Sequence, residues 1–114
     1  MVARAYVPEA GDLVWITFDP QAGHEQRGRR PALILSPRPY NSRSRLAIAC
    51  PITRHIKGYP FEVVLPPSGA ISGAILSDQV KSLDWGVRRI AFEAKAPESV
   101  LTEVRERLRV LLGL

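Results

Sequence analysis

Cysteine is nearly absent from this chain of 114 residues: Cys50 stands alone. No internal disulfide can form, which excludes a disulfide-stapled secreted scaffold. With the two histidines, His24 and His55, it completes the nitrogen and sulfur donors, and no pair has a recognised metal-ligand spacing. A magnesium site held by scattered carboxylates stays open, though no acidic cluster points to one. No phosphate-cradling glycine loop or nucleophile elbow occurs either. No metal or cofactor is therefore expected. No apolar run approaches the roughly 18–20 residues of a membrane span. Residues 1–6 carry a basic Arg4 with no apolar block behind it, so no signal peptide is expected. The expected location is cytoplasmic. Repeats, low-complexity tracts and linkers are missing too, and the length suits one domain over residues 1–114.

The remaining composition, 46% hydrophobic and 24% charged, is that of an ordinary globular domain. Charge is more informative. Sixteen Lys and Arg oppose eleven Asp and Glu, a formal net charge of +5. Up to Lys57 the chain has nine basic and four acidic residues, and beyond it seven of each. The excess is confined to the first half, much of it within residues 27–57. Such a field attracts phosphate backbones and acidic peptides; a merely solvated face is the plain alternative.

Residues 12–19 (DLVWITFD) read as a strand between Gly11 and Pro20. Residues 21–30 read as a glycine-containing charged loop. Residues 31–36 form a second strand stopped by Pro37 and Pro39, and residues 46–52 a third. A turn at Gly58-Tyr59-Pro60 leads to a fourth, residues 61–65. One further strand is expected within residues 74–83, and residues 90–95 alternate apolar and charged side chains. After Pro97, Leu101, Val104, Leu108 and Leu111 recur at helical spacing. Short strands closed by one helix imply a mainly β fold, a small barrel or a strongly bent antiparallel sheet. Cys50 and Trp15, both inside apolar strands, read as core residues. Trp85 suits either the core or an interface.

What remains for chemistry is the loop His24-Glu25-Gln26-Arg27-Gly28-Arg29-Arg30 and the strand end Thr53-Arg54-His55. Around them stand Gly11-Asp12-Leu13-Val14-Trp15, Phe18-Asp19-Pro20, Glu25-Gln26 followed by Arg30-Pro31, Leu35-Ser36-Pro37, Pro51-Ile52-Thr53, Lys57-Gly58-Tyr59-Pro60-Phe61-Glu62-Val63 and Asp78-Gln79-Val80-Lys81-Ser82. In this order, over most of the chain, they resemble the MazF/PemK-like toxins of toxin–antitoxin pairs. Tyr6-Val7-Pro8 and Asn41 resemble the MazF branch more closely.

The resemblance implies an SH3-like barrel or bent sheet of the MazF/PemK/CcdB type with a C-terminal helix, acting as a homodimer. It implies a sequence-specific, metal-independent endoribonuclease that cleaves single-stranded messenger RNA. The ribose 2′-hydroxyl attacks its own phosphate, leaving a 2′,3′-cyclic phosphate and a 5′-hydroxyl. An acidic MazE-like antitoxin is the implied partner. The family's loop arginine falls on Arg30, its threonine on Thr53 and its loop glutamate on Glu25. Arginine is effectively never deprotonated and so suits charge stabilisation rather than proton abstraction. Thr53 can donate to the same phosphate. Glu25 is the nearest base in sequence, and partial burial that raised its pKa would strengthen it. An ion-paired Arg30 and a solvated Glu25 are the plain alternatives. Phe18 could stack a base, Gln26, Gln79 and Lys81 could read base edges or phosphates, and Arg54, His55 and Lys57 could touch RNA. Arg29 stands where some relatives carry histidine, which bears on loop contacts and pH dependence. Two rivals share the architecture: a toxin acting on DNA gyrase, which would end Trp-Gly-Ile where this chain has Leu112-Gly113-Leu114, and a non-catalytic RNA-binding barrel.

Overall fold

The computed structural model describes residues 5–18 and 28–114. Among these, seven strands and two α-helices follow in the order β1 (Asp12–Thr17), β2 (Arg29–Ile34), α1 (Arg38–Ser44), β3 (Leu46–Thr53), β4 (Glu62–Val64), β5 (Ala74–Leu76), β6 (Lys81–Asp84), β7 (Ala91–Lys95) and α2 (Glu98–Leu112). All pairings are antiparallel, and β4, β5, β3, β2, β1 and β7 lie side by side in that order, with β6 also on β3. The sheet among the described residues is bent but not closed.

The bend has a local cause. On the edge away from β2, the first half of β3 pairs with β6 (Ala49 with Lys81) and its end with β5 (Ile52 with Ile75). Continuing the β6 register would place Asp78 opposite Ile52. The chain slips by the three residues of a 3-10 turn, Ser77–Gln79. The break falls beside Pro51, which has no N–H to offer an outer strand. The expected single strand in residues 74–83 is thus two strands hinged at that turn.

Alternation along the strands makes two apolar layers. Leu13, Leu33, Cys50 and Ile52 face one way with Val63 and Ile75, and α2 covers them with Val100 and Val104. Each such aliphatic side chain contributes about 1.5–3 kcal/mol by leaving water. Val14, Ile16, Ala32, Ile34, Ala47, Ala49 and Leu83 face the other way, closed by Trp85 and flanked by Tyr6, Val7, Phe18 and Ile90. The helical stripe is shifted from expectation. Val100 and Val104 are buried and Leu101 and Leu108 half-buried, while Leu111 is exposed with Val110, Leu112 and Leu114. Gly113 ends α2 in the left-handed region.

Helix α1 was not anticipated by the prolines around it. Pro39 occupies its first turn, where a backbone N–H would have no helical partner. Its anchor is the buried Asn41, whose Nδ2 donates to the Pro8 and Ser36 carbonyls at 2.8 Å each. Its Oδ1 accepts the Ser36 hydroxyl at 2.5 Å, and its backbone carbonyl accepts Trp85 Nε1 at 3.1 Å. A second polar knot fixes the start of β1. The buried Asp12 carboxylate accepts Tyr6 Oη at 2.5 Å and the Glu9 amide at 3.0 Å, and Lys95 Nζ lies 2.6 Å away. Burial, then the bond to Asp12, pushes the Tyr6 hydroxyl far above its usual range. Trp15 is half-buried at the core margin rather than fully inside, and its Nε1 donates to Glu93 at 2.9 Å. Cys50 is fully buried as expected, and its thiol is pushed up to about 12, chiefly by desolvation and then by Asp78.

Candidate active site

The second apolar layer ends in polar residues. Arg30 pairs with Ile16 across β1 and β2, so it continues the row of Ala32 and Ile34. Ala32 pairs with Pro51 across β2 and β3. Carrying that register one alternation further sets Arg30 across from Thr53. The same alternation puts Phe18 beyond Ile16 on β1, and Lys81 beyond Leu83 on β6. Lys81 Nζ lies 5.5 Å from the Phe18 ring centroid, within cation–π range. One face therefore changes from aliphatic to cationic and aromatic at a single end of the sheet. Arg30 and Lys81 are exposed there, and Phe18 and Thr53 half-buried.

Beyond Thr53 the strand stops and the chain turns on the threonine itself, whose Oγ1 accepts the His55 amide at 3.1 Å. That turn brings Thr53, His55 and Lys57 around a cavity of about 340 Å³, with Tyr59, Glu62, Leu76 and Gln79 as its other walls. Thr53 and His55 thus share this cavity through the turn, since the strand ends at Thr53. Arg54 turns away: it lines a separate groove with Ile56, Val64, Leu65, Pro67, Ser72 and Gly73.

Three residues with structural roles here carried no assignment from the sequence. Glu62 is 7% exposed and accepts the Lys57 amide at 3.1 Å on each oxygen and the Gly58 amide at 2.7 Å on Oε1. Tyr59 Oη donates to Asp78 at 3.0 Å, and its hydroxyl pKa is raised by desolvation and by that carboxylate. Arg88 donates through Nη1 to the Thr17 carbonyl at 3.2 Å and also to that of Phe18, holding the end of β1. Tyr59 and Glu62 lie in a motif the sequence singled out, but bonds to a distant carboxylate and to backbone amides leave no local side-chain pattern to read. Glu25 and Gln26, with His24, lie outside the described residues.

Residues 27–57 contain eight arginines and lysines and no acidic residue, so this end of the sheet is built from a cationic part of the chain. Among the described residues, no group of three or more His, Cys, Asp or Glu could hold a metal ion. The profile of the PemK-like, MazF-like toxins of type II toxin–antitoxin systems matches residues 9–112. The chain belongs to this family. It is 43% identical to the endoribonuclease toxin MazF of Escherichia coli K12 over 113 residues, 99% of this chain and 100% of that relative. Its fold superposes on crystalline MazF from Deinococcus radiodurans with a TM-score of 0.88 and 57% identity, covering 96% of this chain and 100% of the other. The MazE–MazF complex from the same organism gives 0.87 and 51%, over 96% and 99%. The open, bent sheet with its C-terminal helix is thus the MazF-like toxin architecture.

Proposed function

We propose that this endoribonuclease toxin cleaves single-stranded messenger RNA at short sequence motifs without a metal. The ribose 2′-oxygen bonds to the adjacent phosphorus as its proton is removed. The bond to the 5′-oxygen then breaks and that oxygen is protonated, leaving a 2′,3′-cyclic phosphate and a 5′-hydroxyl. Arg30 supplies fixed positive charge to the phosphorane and the departing oxygen, where such donors act most strongly. Thr53 donates its hydroxyl to the same phosphate. Glu25 is the candidate base, and Phe18, Gln26, His55, Lys57, Gln79 and Lys81 are candidate RNA contacts, with Arg54 on a separate groove. The observation that carries the reading is the β2–β3 register, which supports Arg30 and Thr53 as partners across one phosphate. Purified protein should cut single-stranded RNA in EDTA and leave 5′-hydroxyl ends. Loss of cutting on chelation, restored by magnesium, would sink the mechanism.

The same reading makes the protein a cytoplasmic toxin restrained by an acidic MazE-like antitoxin. An acidic segment on this cationic end would occlude RNA, and its binding would weaken as salt screens exposed charges beyond about 8–10 Å. An antitoxin that leaves RNA affinity unchanged at saturation would exclude occlusion. A homodimer would cover exposed apolar side chains such as Val110 and Leu112 on α2 and Leu114 just beyond it; sedimentation as a monomer at micromolar concentration would exclude it.

A further inference from the structure

The cavity beside Thr53 contains a carboxylate that the proposed reaction does not use. Glu62 opens β4 and lines the same cavity as Thr53, His55, Lys57 and Gln79. A buried carboxylate in a site that must receive phosphates opposes substrate binding through its charge, so its presence there calls for a role. Both of its oxygens face backbone donors: the Lys57 N–H is shared at 3.1 Å to each oxygen, and the Gly58 N–H lies 2.7 Å from Oε1. Its observed bonds are thus to the loop backbone. Gly58 has φ +82°, in the left-handed region that lets successive amides converge on one anion. Upstream of this nest, the His55 amide donates to Thr53 Oγ1 at 3.1 Å. A threonine hydroxyl has one proton and two lone pairs. With one lone pair held by the amide, the proton is left to point elsewhere. Downstream, Tyr59 Oη ties the loop to Asp78, in the 3-10 turn that also carries Gln79.

We infer that Glu62 is a positioning residue: it fixes the loop of residues 54–61, with the Tyr59–Asp78 bond as a second brace, so that the His55 amide holds the Thr53 hydroxyl as a donor to the scissile phosphate. The inference rests on the role proposed for Thr53. The same loop carries the candidate RNA contacts His55 and Lys57, so the alignment of the donor is read at saturating RNA, where the grip on RNA no longer limits the rate.

The test is a double-mutant cycle between Glu62→Gln and Thr53→Val, with Tyr59→Phe as an independent probe of the second brace. The amide of glutamine keeps the size but turns one acceptor into a donor facing backbone N–H groups. Three quantities are read: amide hydrogen exchange at His55, Lys57 and Gly58, single-turnover cleavage at saturating RNA, and affinity for RNA bearing a 2′-deoxyribose at the cut. Glu62→Gln should speed exchange at all three amides and slow cleavage by about 10- to 100-fold, the range that small misplacements produce. Affinity should change much less. In the Thr53→Val background the Glu62 effect should largely vanish, since residues acting as one unit are not additive. Should Glu62→Gln not fold, Tyr59→Phe carries the same test in the same two backgrounds, with a smaller slowing expected. A parental rate in either folded variant, or slowing undiminished by Thr53→Val, would overturn the inference alone. Full activity of Thr53→Val would sink the role of Thr53 and the inference with it.

Discussion

Replacing Gly73 by alanine should damage both the fold and the proposed chemistry, and by amounts the structure sets. Gly73 has φ +120° and immediately precedes β5, whose Ala74 pairs with Thr53 at the end of β3. Its carbonyl accepts the Leu65 amide at 2.8 Å, so the glycine is held from both sides. A Cβ at this position would stand 2.2 Å from the Thr53 carbonyl oxygen and 3.0 Å from its carbon. The shortest comfortable carbon–oxygen contact is about 3.3 Å. One backbone must therefore retreat by roughly 1 Å, and neither atom is the movable end of a side chain. The left-handed conformation adds about 1–3 kcal/mol of strain for a residue with a side chain. Together these place the destabilisation at about 2–4 kcal/mol, at the upper end of single substitutions. Because the clash is with the Thr53 carbonyl, cleavage should fall by about 100-fold under conditions where the variant is still folded. Gly69→Ala is the matched control, since its added Cβ would meet only ordinary contacts at 3.5 Å. Urea denaturation and single-turnover cleavage of both variants give the comparison. A Gly73→Ala protein as stable and active as Gly69→Ala would refute the claim that close backbone approach aligns Thr53.

Two further predictions concern the scaffold. Asn41→Ala leaves the Pro8 and Ser36 carbonyls and the Ser36 hydroxyl without their side-chain partner, and should cost about 2–4 kcal/mol by urea denaturation; a change below about 0.5 kcal/mol would show that water replaces the amide freely. The Cys50 thiol, pushed up to about 12 in the fold, should resist thiol reagents at pH 8 until the protein unfolds. Its contribution to stability is complete below the pKa of an unfolded thiol, about 8.5, and is lost as pH rises from there to about 12, with a slope of about 1.4 kcal/mol per pH unit. Cys50→Ala should remove that part of the alkaline slope, and an unchanged slope would contradict the assignment.

Most strands were legible because each is a short β-branched or aliphatic run bounded by glycine or proline. The failures have tertiary causes. Helix α1 was hidden because Pro37 and Pro39 read as breakers, whereas a first-turn proline is compatible with a helix held by buried Asn41. The break in residues 74–83 is set by Pro51, on a neighbouring strand, and so has no local signal. On α2 the helical period was correct, but the packed stripe runs through Val100, Val104 and Leu108, and Leu111 is exposed. The site shows the same division. Thr53, His55, Lys57 and Gln79, separate candidates in the sequence, line one cavity, but Arg54 departs because the strand ends at Thr53. Glu62 and Tyr59 bind a backbone amide pair and a turn carboxylate, contacts that only the folded loop creates. Glu25 and Gln26 lie outside the described residues.

Arg30→Ala separates transition-state stabilisation across from Thr53 from a simple grip on phosphate. Single-turnover cleavage at saturating RNA should be compared with the affinity for RNA carrying a 2′-deoxyribose at the cut. The cleavage rate should fall by about 10²–10³-fold or more, with a far smaller loss of affinity. An affinity loss that accounts for the whole decline, with the saturated rate unchanged, would show that Arg30 only grips phosphate.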